Sequence, residues 1–372
     1  MKRIFIITTL CLFLLAAAFG LMRFLQGVVP FTLGIDLIPR WVGAQSMLKG
    51  ISPYGLESRR QVWQVIYGST QTPQGNPFGF YYPPAITTLL FPFILAQLPL
   101  ETATAAWCAL LWLLWLAALA WLGRGEKPWA LAALLVSGLA FRPAFSNYIL
   151  GQTALFGVLA FGAAALLAQK KPAAAGILLS LALLKPSFLL LPVGIFLLLR
   201  RQRALWLGFA LSLLALILPS FFLIGWWIPD FLSEISRYAQ ENVAAWSPAV
   251  DLGGWAGWLW LGLAAALSGW AALRREWGLA LAAALTLNAA LVPHSADYDL
   301  VALLGLLWWL KGKISGPLFY GLVWFPWLTL FLLPGVESWY HFLWQSYPAL
   351  LLAVAGLRFS SFPVFQFSSL TV

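Results

Sequence analysis

The chain has 372 residues, 62% of them hydrophobic and only 9% charged, with a net charge of +10. Soluble domains carry about 25% charged residues, and disordered chains lack this much apolar surface, so both classes are excluded. The apolar runs are long and do not alternate, which excludes an outer-membrane barrel and leaves an all-α polytopic membrane protein with room for roughly ten spans and one sizeable loop.

The placement of the charges excludes a nucleic-acid partner. Basic residues punctuate the apolar runs as Lys2/Arg3, Arg124/Lys127, Lys170/Lys171, Arg200/Arg201/Arg203, Arg274/Arg275, Lys311/Lys313 and Arg358. That is where the positive-inside rule puts cytoplasmic turns. Most carboxylates fall on the complementary loops: Asp36, Glu57, Asp230, Glu234, Glu241, Asp251, Asp297, Asp299 and Glu337. Cys11 and Cys108 lie inside apolar runs and read as small buried hydrophobes, forming neither a disulfide nor a metal site.

In chain order, the first apolar run covers residues 4–25, directly after Lys2 and Arg3. Ala16-Ala17-Ala18 mimics a cleavage site, but the run continues past it. An uncleaved span with a cytoplasmic N-terminus is therefore expected. Residues 26–83 form the longest polar stretch, an extracytoplasmic subdomain. In it Ile38, Trp41, Val42, Gln45 and Leu48 recur at helical spacing, and Gly50-Ile51-Ser52-Pro53 stops the helix. Its Trp, Leu, Arg40 and Lys49 suit the membrane interface.

Apolar runs follow at 85–98, 104–122, 129–141, 152–168, 173–199, 204–224, 253–272, 277–292, 298–310, 316–333 and 341–357, the fifth broken by Lys185-Pro186. Two parities fit. Either 85–98 and 173–199 are each one span, or 85–98 is a re-entrant half-helix and 173–199 a hairpin turning at Lys185. Pro92, Pro99 and the charged Lys-Pro favour the second, because they suit mid-bilayer positions poorly. Both place 26–83, 225–252, 293–298 and 334–340 outside the cytoplasm. Residues 1–357 thus read as a single integral membrane domain and 358–372 as a short cytoplasmic tail.

Asp36 is the first candidate for chemistry. It precedes the interfacial helix among Leu33, Ile35, Leu37 and Ile38, and partial desolvation there raises the basicity a general base needs. A helix N-terminal carboxylate is the bland reading. Phe80-Tyr81-Tyr82-Pro83-Pro84 reads as an aromatic belt with prolines that aim a helix. Arg142-Pro143 and Asn147-Tyr148, with Gly151-Gln152, form a polar patch that a turn explains. Lys185 is harder to dismiss: an ammonium flanked by leucines calls for an anion, a carboxylate or water, with snorkelling as the alternative.

His294 lies in Pro293-His294-Ser295-Ala296-Asp297-Tyr298-Asp299, where Asp297 or Asp299 would orient it as an acid–base or phosphate-binding group. Because the chain has 2 histidines, no three-histidine metal site can be built. The loop 225–252, with Trp226, Trp227, Tyr238 and Trp246 among acids, either covers a cavity, stacks on sugar faces or is a surface amphipathic helix.

These strings occur in an order that resembles glycosyltransferase family 87. They are Asp36 through Tyr54, Tyr82-Pro83-Pro84, Asn147 through Gln152, Leu184-Lys185-Pro186, and Pro293-His294 with Tyr298-Asp299-Leu300. The resemblance implies a GT-C-like bundle of roughly 10–12 transmembrane helices, with a large first extracytoplasmic loop carrying interfacial helices. It implies an enzyme of the plasma membrane that takes a hexose, typically mannose, from a polyprenyl-phosphate donor to a lipid or glycan acceptor on the extracytoplasmic face. The family's loop Asp carries over to Asp36 as general base, and its late His to His294. Tyr82, Gln152, Asp297 and Tyr298 fall in matching strings as substrate contacts, and Lys185, Arg142 and Arg40 are candidate phosphate contacts. Direct displacement with inversion is expected, with no cofactor and no metal, although a divalent ion is not excluded. Ala154 departs from the family's frequent Gly-Gln-x-Asn. A lipid or solute transporter, an O-antigen ligase or polymerase, and a non-catalytic relative are the competing readings.

Overall fold

The computed structural model describes residues 2–28, 33–71, 78–84, 95–241, 255–291, 297–333 and 336–360. Among these residues there are sixteen α-helices and no strand, as the all-α expectation requires. The first polar stretch holds α2 (Ile38–Leu48) and α3 (Leu56–Tyr67) after α1 (Lys2–Val28). Then come α4 (Leu100–Leu122), α5 (Pro128–Ala140), α6 (Arg142–Leu150), α7 (Ala154–Leu167), α8 (Pro172–Ala182) and α9 (Pro186–Arg200). The rest are α10 (Arg203–Ile224), α11 (Ile228–Glu241), α12 (Trp255–Leu273), α13 (Trp277–Leu291), α14 (Leu304–Leu310), α15 (Gly316–Leu332) and α16 (Val336–Ser360). Short 3-10 turns cover Ile35–Leu37 and Asp297–Leu303.

By length and composition α4 and α10 can each cross a bilayer, and α5 with α6, bent by 59°, makes a third if the pair is one span. Against the roughly 10–12 spans expected, most of the other apolar helices among the described residues run below the ~20 residues a span needs. Lys185-Pro186 separates α8 from α9, as its sequence foretells. Residues 85–94, on which the parity question partly rests, lie outside the described residues, as do 242–254 and 361–372.

Along α10, Leu207, Leu211, Leu214, Leu218 and Phe222 recur on one face and are exposed, Phe222 at 87%. An apolar stripe of that kind is stable in lipid and not in water, so the chain is a membrane protein. Behind it, α8 packs between α7 and α10. Gly176 and Gly208 let the α8 and α10 backbones touch; a Cβ on Gly176 would stand 2.2 Å from the Leu205 carbonyl oxygen. The central layer is α13, which packs on α9, α12, α14 and the 3-10 turn Asp297–Leu303.

The two polar loops form one layer. In it α11 is amphipathic: Phe231 meets Tyr54 with ring centroids 5.9 Å apart, and Glu234 accepts from Arg59 at 2.8 Å. Leu232, Ile235 and the neighbouring Trp226 stay exposed on the other side.

Candidate active site

Two glycines fix the geometry. Gly34, at φ +72°, donates its N–H to the Ile149 carbonyl at 2.7 Å just before the Ile35–Leu37 turn. Gly151, at φ +75°, ends α6 in the left-handed region that glycine adopts without strain. A Cβ there would meet Gly34 Cα and Leu37 Cβ at 3.2 Å. The Gly151 carbonyl accepts from Trp107 Nε1 at 2.9 Å. The early loop and the end of α6 are thereby fastened together, and this places Asp36 against Gln152.

Gln152 Nε2 donates to Asp36 Oδ2 at 3.0 Å. Arg40 donates to the Asp36 carbonyl at 2.8 Å, the Gly151 carbonyl at 3.5 Å and Gln152 Oε1 at 3.3 Å. Its guanidinium is buried and lies 4.2 Å from the Tyr82 ring centroid. Burial raises the Asp36 carboxyl above its ordinary value, while the Gln152 bond and the Arg40 and Lys185 charges pull it back. The result is a half-buried carboxylate with enhanced proton affinity, still braced in its charged form.

Lys185 caps the start of α9, where Pro186 occupies the first helical position. Its ammonium is ion-paired with Asp299 Oδ1 and sits 4.5 Å from the Tyr298 ring centroid. Asp299 is fully buried on the 3-10 turn. That turn is held by Asn147, whose Nδ2 donates to the Tyr298 and Pro143 carbonyls at 2.8 Å and whose Oδ1 accepts from Leu155 N–H at 2.9 Å. Asp36, Asp299, Arg40 and Lys185 interact electrostatically, so the two carboxylates and two cations share one neighbourhood.

Tyr82 closes the same neighbourhood, its carbonyl accepting from Tyr54 Oη at 2.6 Å. Tyr238 of α11 meets Tyr81 with ring centroids 4.2 Å apart, tilted by 42°, and feels the charges of Asp36 and Asp299. Burial raises the hydroxyls of Tyr82 and Tyr238, which therefore remain protonated donors.

Of the residues singled out in the sequence, Asp36, Arg40, Tyr82, Gln152, Lys185 and Tyr298 come together here. Arg142 directs its guanidinium to Ser146 Oγ at 2.7 Å and over Trp327 at 5.4 Å. Asp297 opens the 3-10 turn, and His294 lies outside the described residues. Arg40, expected at a donor phosphate, donates to the carbonyls of Asp36 and Gly151 and to Gln152 Oε1. Asp299, named with Asp297 as a group that would orient His294, is ion-paired with Lys185. Asn147 and Tyr238 gain roles that no sequence spacing signals. Ala154 is fully buried at the start of α7. Among the described residues no group of three or more His, Cys, Asp or Glu side chains could hold a metal ion.

A family model described as glycosyltransferase family 87 matches residues 80–310, a span that contains Tyr82, Gln152, Lys185, Tyr298 and Asp299 and begins after Asp36. No curated protein matches the chain, and no solved structure does.

Proposed function

Because the chain belongs to glycosyltransferase family 87, we propose that it transfers a hexose, mannose first among them, from a polyprenyl-phosphate donor to a lipid or glycan acceptor. The reaction takes place on the extracytoplasmic face of the plasma membrane. The acceptor hydroxyl gives its proton to Asp36, and its oxygen bonds to the anomeric carbon as the bond from that carbon to the phosphate oxygen breaks. One displacement of this kind inverts the anomeric centre. The phosphodiester leaves as a phosphate monoester with one more negative charge, and Lys185 stabilises that charge at the headgroup. Arg40 and Gln152 hold Asp36 in place, and Tyr82 and Tyr298 offer rings and hydroxyls to the sugar. His294 joins the site on the strength of the family's late histidine.

The observation that carries this reading is a single one. The Asp36 carboxylate, braced by Gln152 at 3.0 Å, shares a charged neighbourhood with the buried Lys185–Asp299 pair. A base and an anion-stabilising cation side by side are what such a displacement needs.

The test uses membranes incubated with radiolabelled polyprenyl-phosphate mannose, comparing the wild type with Asp36→Asn. Label transfer disappears in the variant while the purified variant still retains the donor. Transfer that survives the substitution removes Asp36 from its role.

A further inference from the structure

Pro192 lies inside α9. It has no N–H, so the carbonyl four residues before it, that of Phe188, loses its helical partner. In lipid no water replaces that partner. Asn288, a buried residue of α13, does so instead: its Nδ2 donates to the Phe188 carbonyl at 2.6 Å, and its Oδ1 accepts from Leu191 N–H at 3.3 Å. One side-chain amide thus clamps the backbone of the interrupted turn from both sides.

The clamp reaches the site directly. Phe188 N–H donates to the Lys185 carbonyl at 3.0 Å, and the Phe188 ring centroid lies 5.8 Å from the Lys185 ammonium. On its other flank α13 packs against the 3-10 turn that carries Asp299. Asn288 therefore joins the turn that aims Lys185 to the helix that flanks the partner of Lys185. Without it, the Phe188 carbonyl finds a partner only by moving the first turn of α9, and Lys185 moves with that turn.

We propose that Asn288 is a positioning residue that sets Lys185 for the donor phosphate. This rests on the assignment of Lys185 to that phosphate given above.

The experiment measures retention of radiolabelled polyprenyl-phosphate mannose on the purified full-length protein in detergent. Asn288→Ala weakens binding about tenfold, the usual scale for orphaning a buried polar group. Pro192→Ala restores a backbone N–H to the Phe188 carbonyl, so Pro192→Ala/Asn288→Ala binds within about threefold of Pro192→Ala alone. In a Lys185→Met background, Asn288→Ala weakens binding no further, because its effect passes through the lysine. Wild-type binding by Asn288→Ala, failure of Pro192→Ala to rescue it, or an additive loss with Lys185→Met overturns the inference. If Asn288→Ala does not fold, the double variant decides: folded with near-normal binding supports the clamp, unfolded or weak binding overturns it. Undiminished binding by Lys185→Met strikes the phosphate assignment itself and removes the inference with it.

Discussion

Gln152 Nε2 donates to Asp36 Oδ2 at 3.0 Å, joining residues that stand 116 apart in the chain. The orientation of that amide is fixed, because Gln152 Oε1 faces Arg40, a side chain that can only donate. The N–H end is left for the carboxylate. Burial favours the neutral acid, while this bond and the charges of Arg40 and Lys185 favour the anion, so the basicity of Asp36 is set by opposed local effects.

The rate of sugar transfer should follow that balance. A base works when deprotonated, so activity rises with pH through a midpoint above the ordinary carboxylate value, since Asp36 is shifted upward. Gln152→Leu removes an interaction that stabilises the charged form, and the acid limb of the pH–rate profile moves to higher pH. A limb that stays or moves to lower pH contradicts the role given to Gln152. Asp36→Asn lowers the rate by roughly 10²–10⁴-fold above that midpoint and abolishes the acid limb.

Lys185 and Asp299 form a buried ion pair, and breaking one half strands the other. Lys185→Met should destabilise the protein by about 3–5 kcal/mol, whereas Lys185→Met/Asp299→Asn should recover most of that loss. Thermal unfolding in detergent separates the two variants. Donor binding stays impaired in both, which distinguishes stability from phosphate recognition.

Gly151→Ala tests the crossing of the early loop and α6. The alanine meets φ +75° and contacts of 3.2 Å with Gly34 and Leu37. The conformational penalty is about 1–2 kcal/mol, and relief comes by displacing the segment that carries Asp36. Turnover therefore falls more than donor affinity does; equal turnover in the variant and the wild type would show that the crossing does not position the base.

The proposed stabilisation of the leaving phosphate by Lys185 predicts a reaction that needs no divalent cation. Transfer measured after exhaustive EDTA treatment should stay within about twofold of the untreated rate, far less than the loss a metal-dependent phosphoryl clamp shows. Activity abolished by EDTA and restored by magnesium would assign the phosphate to an ion.

Much of this site is legible in the sequence because polar residues in apolar runs are expensive and therefore conspicuous. Asp36 and Lys185 stand out in this way, and the helix Ile38–Leu48 follows its apolar spacing to the residue. The partner of Lys185 is not legible: Asp299 is 114 residues away, and no periodicity links them. Residues 142–150 read as a turn because Arg142-Pro143 and Asn147 interrupt the apolar pattern. They form a helix instead, since Asn147 satisfies carbonyls on two segments and caps a third. The hydrogen bonds of Arg40 are not legible for a related reason: a sequence displays a cation but not the neutral carbonyls that will surround it.

The groups of the proposed centre are drawn from both ends of a long stretch of polypeptide, from Asp36 to Asp299. A ribosome must therefore deliver all of the intervening helices to the translocon before the Asp36 carboxylate and the lysine's counter-ion can meet. No nascent fragment that stops short of the late 3-10 turn contains the finished centre, so biosynthesis itself withholds activity until the last helices of the site have inserted.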